Sequence, residues 1–269
     1  MNDLLIPSPE GSTRLYVILG DPVAQVMAPV LMNQVFRNCQ KDAVMVPMHV
    51  HPAELVEVVR GLKRIANLDG MLITVPHKFA VAALVDHVSL AVELAGSANA
   101  LRREPDGTWS AENFDGHGFL EGLRQAGHEP AGKRIVLIGA GGAGAAIAAA
   151  LAGCSVAELV IMDVLVDKAT RLADGLNATH ACTVHAGNVG DWSQFDIAIN
   201  ATPLGLCADD PMPFDVHRLN PRCVVADIIM KPHETRLVLA SAARGLHVHH
   251  GIRMLTPQIE MYREFFRIA

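Results

Sequence analysis

Short apolar runs alternate along this chain with longer stretches in which apolar positions recur every three or four residues. The runs predict strands at 15–19, 43–48, 69–75, 158–163, 195–200 and 223–229, with shorter ones at 183–185 and 245–249. Helical spacing appears after Ala28-Pro29, through Val30, Leu31, Val35 and Phe36, and again over 53–64, 79–92, 119–125, 167–176, 234–243 and 257–268. Residues 96–101 read as a turn into a strand, Pro105-Asp106-Gly107 as a hairpin-type turn and 251–255 as a loop. Strands alternating with helices need crossover connections, so the pattern predicts an α/β fold with largely parallel sheets.

One stretch carries more than secondary structure. Residues 134–138 form a β-branched run, Gly139, Gly141 and Gly144 follow as G-x-G-x-x-G with Gly142 and Ala143 between them, and an alanine-rich helix comes next. In such a turn the first glycine permits the sharp exit, the second admits a pyrophosphate to the backbone, and the third lets helix pack on strand. The helix N-terminus then offers N–H groups to the phosphates. A second apolar run ends in Asp163, roughly 20 residues on, where an acid suits a ribose 2′-OH. Two plainer readings exist for the uncharged stretch 135–157. It could be taken for a membrane span, against which stand the second strand, the absence of flanking Trp or Tyr and the helix-breaking glycines. It could also be a ligand-free structural turn, which rarely needs three glycines at this spacing.

Composition narrows the class. With 269 residues, 51% hydrophobic and 19% charged, the chain supports one large or two ordinary globular domains. A net charge of −6 without charge runs gives no reason to expect nucleic acid or an anionic membrane as partner. Cys39, Cys154, Cys182, Cys207 and Cys223 are scattered without a C-x-x-C pair and read as reduced thiols. The N-terminal residues lack a signal-peptide pattern, so a cytoplasmic location is expected. His247, His249 and His250 cluster, but no carboxylate or cysteine joins them at zinc spacing, and no metal is expected.

The polar residues placed where strands end are the candidates for chemistry: Thr74, Lys78, Asn99, Asn113, Asp115, Asn200 and Thr202. Lys78 is the sharpest, because partial desolvation at the end of a buried strand favours a neutral amine able to shuttle a proton. Taken alone, Lys78 also reads as a solvated loop lysine and Asp115 as a turn former beside Gly116.

The joint pattern decides between these readings. Gly20-Asp21-Pro22, Thr74-Val75-Pro76-His77-Lys78, Asn113-Phe114-Asp115-Gly116, the glycine turn, Asn200-Ala201-Thr202-Pro203 and Gly251-x-x-Met254-Leu255-x-x-Gln258 occur in one order, and together resemble the shikimate dehydrogenase family over nearly the whole chain. The resemblance implies two domains: an N-terminal α/β substrate domain, residues 1–115 rejoined by a C-terminal helix at 252–269, and a Rossmann-type doubly wound dinucleotide domain, 116–251. It implies reversible oxidation of a ring hydroxyl of shikimate, quinate or a related cyclic alcohol, with Lys78 and Asp115 as the catalytic pair. Thr74, Asn99 and Gln258 match substrate-binding positions. Gly139, Gly141, Gly142, Ala143, Gly144, Asp163, Asn200, Thr202 and Pro203 are expected at the cofactor. A homodimer is admitted, although oligomeric state is not legible in the sequence.

Departures from the family pattern matter as much. Val26 and Ala28 stand where a Ser-x-Ser pair usually meets the substrate carboxylate; Leu72, Ala100, Phe114 and Met230 also replace polar residues. A substrate that is less polar, or whose carboxylate is held by Gln25, His77 or Arg253, is therefore expected. Relatives that prefer NADP usually carry Asn-Arg-Thr where this chain has Asp163-Val164-Leu165, so NAD is expected over NADP, with Lys168 as the cation able to rescue NADP. The alternatives are a Rossmann dehydrogenase of another substrate class, such as a methylene-tetrahydrofolate dehydrogenase, and a dinucleotide-binding regulator without turnover.

Overall fold

The computed structural model describes residues 9–269, and the N-terminal stretch without a signal-peptide pattern lies outside the described residues. The chain forms two compact units. One runs through Phe114 and adds Gln258–Ala269; the other is Asp115–Pro257.

In the first unit β1 (Arg14–Gly20), β2 (Ala43–His49) and β3 (Leu68–Ile73) are parallel, connected through α1 (Ala28–Asn38) and α2 (Leu55–Leu62). The sheet is extended by β5 (Ala100–Arg103), β6 (Trp109–Glu112) and β4 (His87–Val88), in the order β2-β1-β3-β5-β6-β4. Tyr16, Val17, Ile18 and Leu19 are all buried, which is why β1 reads as a continuous apolar run: both faces are covered. Val17 and Leu19 join a core with Leu55, Val59, Met71, Ile73 and Trp109. On the opposite face Tyr16 packs against Phe36, ring centroids 4.9 Å apart, and edge-on against Phe266 at 5.1 Å. Gly70 is required there, since a Cβ would overlap the Phe266 ring.

The second unit is a six-stranded, wholly parallel sheet of β7 (Arg134–Ile138), β8 (Glu158–Met162), β9 (Val184–Ala186), β10 (Ile197–Asn200), β11 (Val224–Asp227) and β12 (His247–His250). Their order, β12-β11-β10-β7-β8-β9, is that of a doubly wound dinucleotide-binding sheet, with the direction of winding reversing between β7 and β10. Its helices are α5 (Asp115–Gln125), α6 (Gly142–Ala152), α7 (Val166–Thr179) and α8 (Arg236–Ala243). α6 carries no charge because it has no exposed face to solvate: its residues from Gly144 to Ala149, with Leu151 and Ala152, are buried. Gly116 of α5 lies so close to α6 that a Cβ would overlap the Ala146 carbonyl. Burial against protein accounts for the membrane-like composition, and no helix among the described residues is long and apolar enough to cross a membrane.

Two expectations need correction. The helix expected over 79–92 is broken into α3 (Lys78–Val81), a 3-10 turn, the edge strand β4 and α4 (Leu90–Ala95). Non-local pairing overrides the local pattern: Asp86 accepts the N–H of Trp109 at 2.8 Å, β4 pairs with β6, and Ser89 then caps α4 by accepting the Val92 N–H at 3.2 Å. The loop expected at 251–255 is helical, because α9 (Ile252–Phe265) begins there and contains Pro257. Proline costs a helix the bond to the carbonyl four residues back, here Arg253, whose carbonyl packs onto Gly122.

Candidate active site

The three glycines of the turn after β7 have three different reasons to be glycine. Gly139 has φ +104°, and a Cβ there would approach the Ala201 carbonyl to 2.7 Å. A Cβ on Gly144 would overlap the carbonyl oxygen of Gly139 itself. Gly141 has an ordinary φ of −69° and nothing within 4 Å of its Cβ position, so it is open space that an approaching ligand can use. Gly142 and Ala143 open α6, which has no acid in its first turn. That end of the helix is an electropositive seat for phosphate, and the turn fits a dinucleotide.

Asp163, just past β8, is bound to this turn. One carboxylate oxygen accepts the Ala140 N–H at 2.7 Å and the other the Leu165 N–H at 2.9 Å. The next residues, Val164, Leu165 and Val166, are 95%, 65% and 60% exposed. A fixed negative charge flanked by apolar side chains thus stands where the second strand ends.

On the other side of the winding reversal, β10 ends in Asn200, which is fully enclosed at 0% exposure. Its amide oxygen accepts the N–H of Thr202 at 3.1 Å and the Thr202 hydroxyl at 2.6 Å. Its amide nitrogen donates to the Leu204 carbonyl and to Asp227, each at 3.1 Å. Asn200 is thus enclosed by its own chain; Thr202 and Pro203 lie on the accessible side of the same loop. Asp227, 1% exposed, also accepts the Ile229 N–H at 3.1 Å and the Thr235 hydroxyl at 2.6 Å. Burial pushes the Asp227 carboxyl up, with the Thr235 and Ile229 hydrogen bonds opposing it. Sequence reasoning missed Asp227, whose available signal was an acid inside the apolar run 223–229.

In the first unit Lys78 opens α3 just beyond the end of β3 and is 9% exposed. Thr74, half-buried, bridges strand ends by donating its N–H to Leu19 at 2.9 Å. Asn99 and Gln258 are brought together: Asn99 donates to the Gln258 side-chain oxygen at 3.3 Å and to the Tyr262 hydroxyl at 3.2 Å, and accepts the Phe114 N–H at 3.0 Å. The Tyr262 hydroxyl donates to Gln258. Phe114 stands edge-on to Tyr262 with ring centroids 5.5 Å apart, giving the array an aromatic wall that the sequence alone did not reveal through Tyr262. Asp115 is the first residue of α5 in the second unit and is 3% exposed.

The expected substitutes for a carboxylate-binding pair fare unequally. His77 is 1% exposed with Nε2 held by the Val50 carbonyl at 2.8 Å, so it is a structural tie and not a substrate ligand. Gln25 donates its amide to the Pro22 carbonyl at 2.8 Å, and Arg253 is exposed. Ala28 is buried and Val26 half-buried. Among the described residues no group of three or more His, Cys, Asp or Glu side chains is arranged to hold a metal ion.

Known proteins share this architecture. A sequence model of the shikimate dehydrogenase substrate binding domain matches residues 18–101. Shikimate dehydrogenase (NADP(+)) of Rubrobacter xylanophilus is 37% identical over 257 residues, covering 94% of this chain and 90% of that protein. The crystal structure of a shikimate dehydrogenase in complex with NADP+ matches with a TM-score of 0.88 at 28% identity, over 97% of this chain and 92% of that one. The ligand-free 5-ketofructose reductase of Gluconobacter sp. strain CHM43 matches with a TM-score of 0.82 at 30% identity, over 94% and 92%. By identity sustained over nearly its whole length, and by a doubly wound unit with the glycine turn that such enzymes need, the chain belongs to the shikimate dehydrogenase family.

Proposed function

We propose that this protein catalyses reversible hydride transfer between NAD(P) and a ring hydroxyl of shikimate, quinate or a related cyclic alcohol, with NAD preferred. What carries the reading is Lys78, a lysine 9% exposed at the end of a buried strand in a chain 37% identical to a shikimate dehydrogenase.

The Gly139–Gly144 turn and the start of α6 hold the pyrophosphate, with Gly141 giving the phosphates access to the backbone. Asp163 has acceptor capacity left for a ribose 2′-OH and repels a 2′-phosphate. Thr202 and Pro203 line the cofactor, and Asn200 supports them from behind. Thr74, Asn99 and Gln258 bind the ring substituents. Lys78 Nζ takes the hydroxyl proton as the adjacent carbon loses hydride, and returns it in the reverse direction; Asp115 is its partner carboxylate. NAD(P), when bound, supplies the hydride acceptor. The split of the chain near 115 and 252 into substrate and dinucleotide domains belongs to the same reading.

Val26 and Ala28 favour a second version in which the substrate carries no carboxylate, and the similarity to 5-ketofructose reductase supports it. Initial rates with NAD and NADP against shikimate, quinate and uncharged cyclic polyols separate the two. Shikimate turnover with a micromolar KM supports the carboxylate version; turnover of uncharged substrates alone supports the second. Dinucleotide binding without any turnover overturns both in favour of a regulator.

A further inference from the structure

Asp227 is a buried carboxylate that none of the proposed chemistry uses. It lies at the end of β11, between β10 and β12 in the sheet, with three hydrogen-bond donors on its oxygens and His250 of β12 close by. Its oxygens hold Asn200, Ile229 and Thr235. The chain of bonds continues outward: Asn200 fixes both the N–H and the hydroxyl of Thr202, and the Thr202 hydroxyl accepts the Leu204 N–H at 3.1 Å. The same segment packs against the glycine turn. Beyond the Ala201 carbonyl, the Thr202 methyl lies 3.0 Å from the Cβ position of Gly139, and the Ala201 methyl 3.3 Å from that of Gly144. The loop after β10 is therefore templated from inside by Asp227 and pressed from outside against the turn that takes the pyrophosphate.

We infer that Asp227, acting through Asn200, is a positioning residue for the dinucleotide: it fixes the amide that sets the Thr202–Pro203 loop at the height the cofactor needs. The inference rests on the dinucleotide reading above. A carboxyl group suits the task because its two oxygens accept from Asn200, Ile229 and Thr235 at once, where a side-chain amide has one acceptor oxygen. Thr235 provides an internal comparison. It bonds the same carboxylate and caps α8 by accepting the Val238 N–H at 3.2 Å, and it meets the loop only through its methyl beside Gly205, which valine keeps.

The test is direct titration of NADH, which needs no substrate, into the full-length protein and the variants Asp227→Ala, Asn200→Ala, Thr235→Val and the Asp227→Ala/Asn200→Ala pair, with a thermal melt of each. Asp227→Ala and Asn200→Ala are each expected to weaken NADH by about tenfold to a hundredfold. The double variant is expected to be no weaker than the worse single one, since both break one relay. Thr235→Val is expected to melt lower yet bind NADH within about twofold of the parent. Unchanged affinity in Asn200→Ala, additive losses in the pair, or an equal loss in Thr235→Val overturns the inference while leaving the dinucleotide reading intact. If Asp227→Ala does not fold, Asp227→Asn, which keeps one acceptor oxygen, takes its place in the series and is read by the same outcomes. A parent protein that binds no dinucleotide overturns both.

Discussion

The carboxylate of Asp163 accepts the backbone N–H of Ala140 at 2.7 Å, so the acid after the second strand and the glycine turn after the first are one rigid piece. Swinging its charge aside when a 2′-phosphate arrives would break this bond and the one its second oxygen accepts from Leu165 at 2.9 Å. At a few ångströms and an effective dielectric near 20 the repulsion amounts to a few kcal/mol before screening. Asp163→Ser should therefore raise the NADP to NAD ratio of kcat/KM by about tenfold or more, and weaken NAD as the Ala140 tie is lost. A parent enzyme that already prefers NADP removes the basis for this expectation.

The glycine turn makes opposite predictions at neighbouring positions. Gly141→Ala adds a methyl to open space at an ordinary φ, so the fold should tolerate it within about 1 kcal/mol while NADH binding drops. Gly144→Ala drives a methyl into the Gly139 carbonyl and should destabilise the protein by about 3 kcal/mol or more. Melting temperatures alongside NADH titrations check both; equal melting of the two variants contradicts the geometry.

Replacing Lys78 by Met keeps the apolar stem but removes the amine. Turnover should fall by about a hundredfold to ten-thousandfold with NADH affinity unchanged, the signature of a lost proton shuttle. A variant retaining more than a tenth of the parent kcat assigns the proton to another group.

His249 should make the protein acid-sensitive. It is 1% exposed, neither ring nitrogen has a hydrogen-bond partner, and burial first, then Arg253, His128 and His250, hold its pKa down from 6.5 to about 4. The unfolded chain binds a proton on this residue below about 6.5, the folded one only near 4, so stability is lost as pH falls through that window. The full loss is about 3 kcal/mol by the size of the shift. Between neutral pH and 4 the parent should lose that amount of stability relative to His249→Phe in paired melts; parallel curves would show that His249 does not carry the effect.

Much of this was readable in advance where one physical requirement dominates. The runs ending in Gly139, Asp163 and Asn200 hold strands buried on both faces, and the central residues of each strand are apolar. The glycine turn was legible because three separate constraints fall at fixed spacing. Residues 79–92 misled because their helical periodicity is real but local, whereas β4 is made by partners at 110–111. His77 looked like a ligand because nothing in sequence announces that a backbone carbonyl 27 positions away, that of Val50, claims its ring. Asn200 and Asp227 form a pair across two strands, and a pair of that kind has no spacing to find.

The uncharged α6 has a consequence for how the chain is made. Exposed at the ribosome, residues 135–157 would be a sticky segment, prone to self-association before the sheet is complete. α5, which carries Gly116 and covers that segment, lies on its N-terminal side and so is synthesised first. The order of elements thus supplies the cover before the surface it must shield, and a circular permutation moving α5 behind α6 should lower the dissolved fraction relative to the natural order.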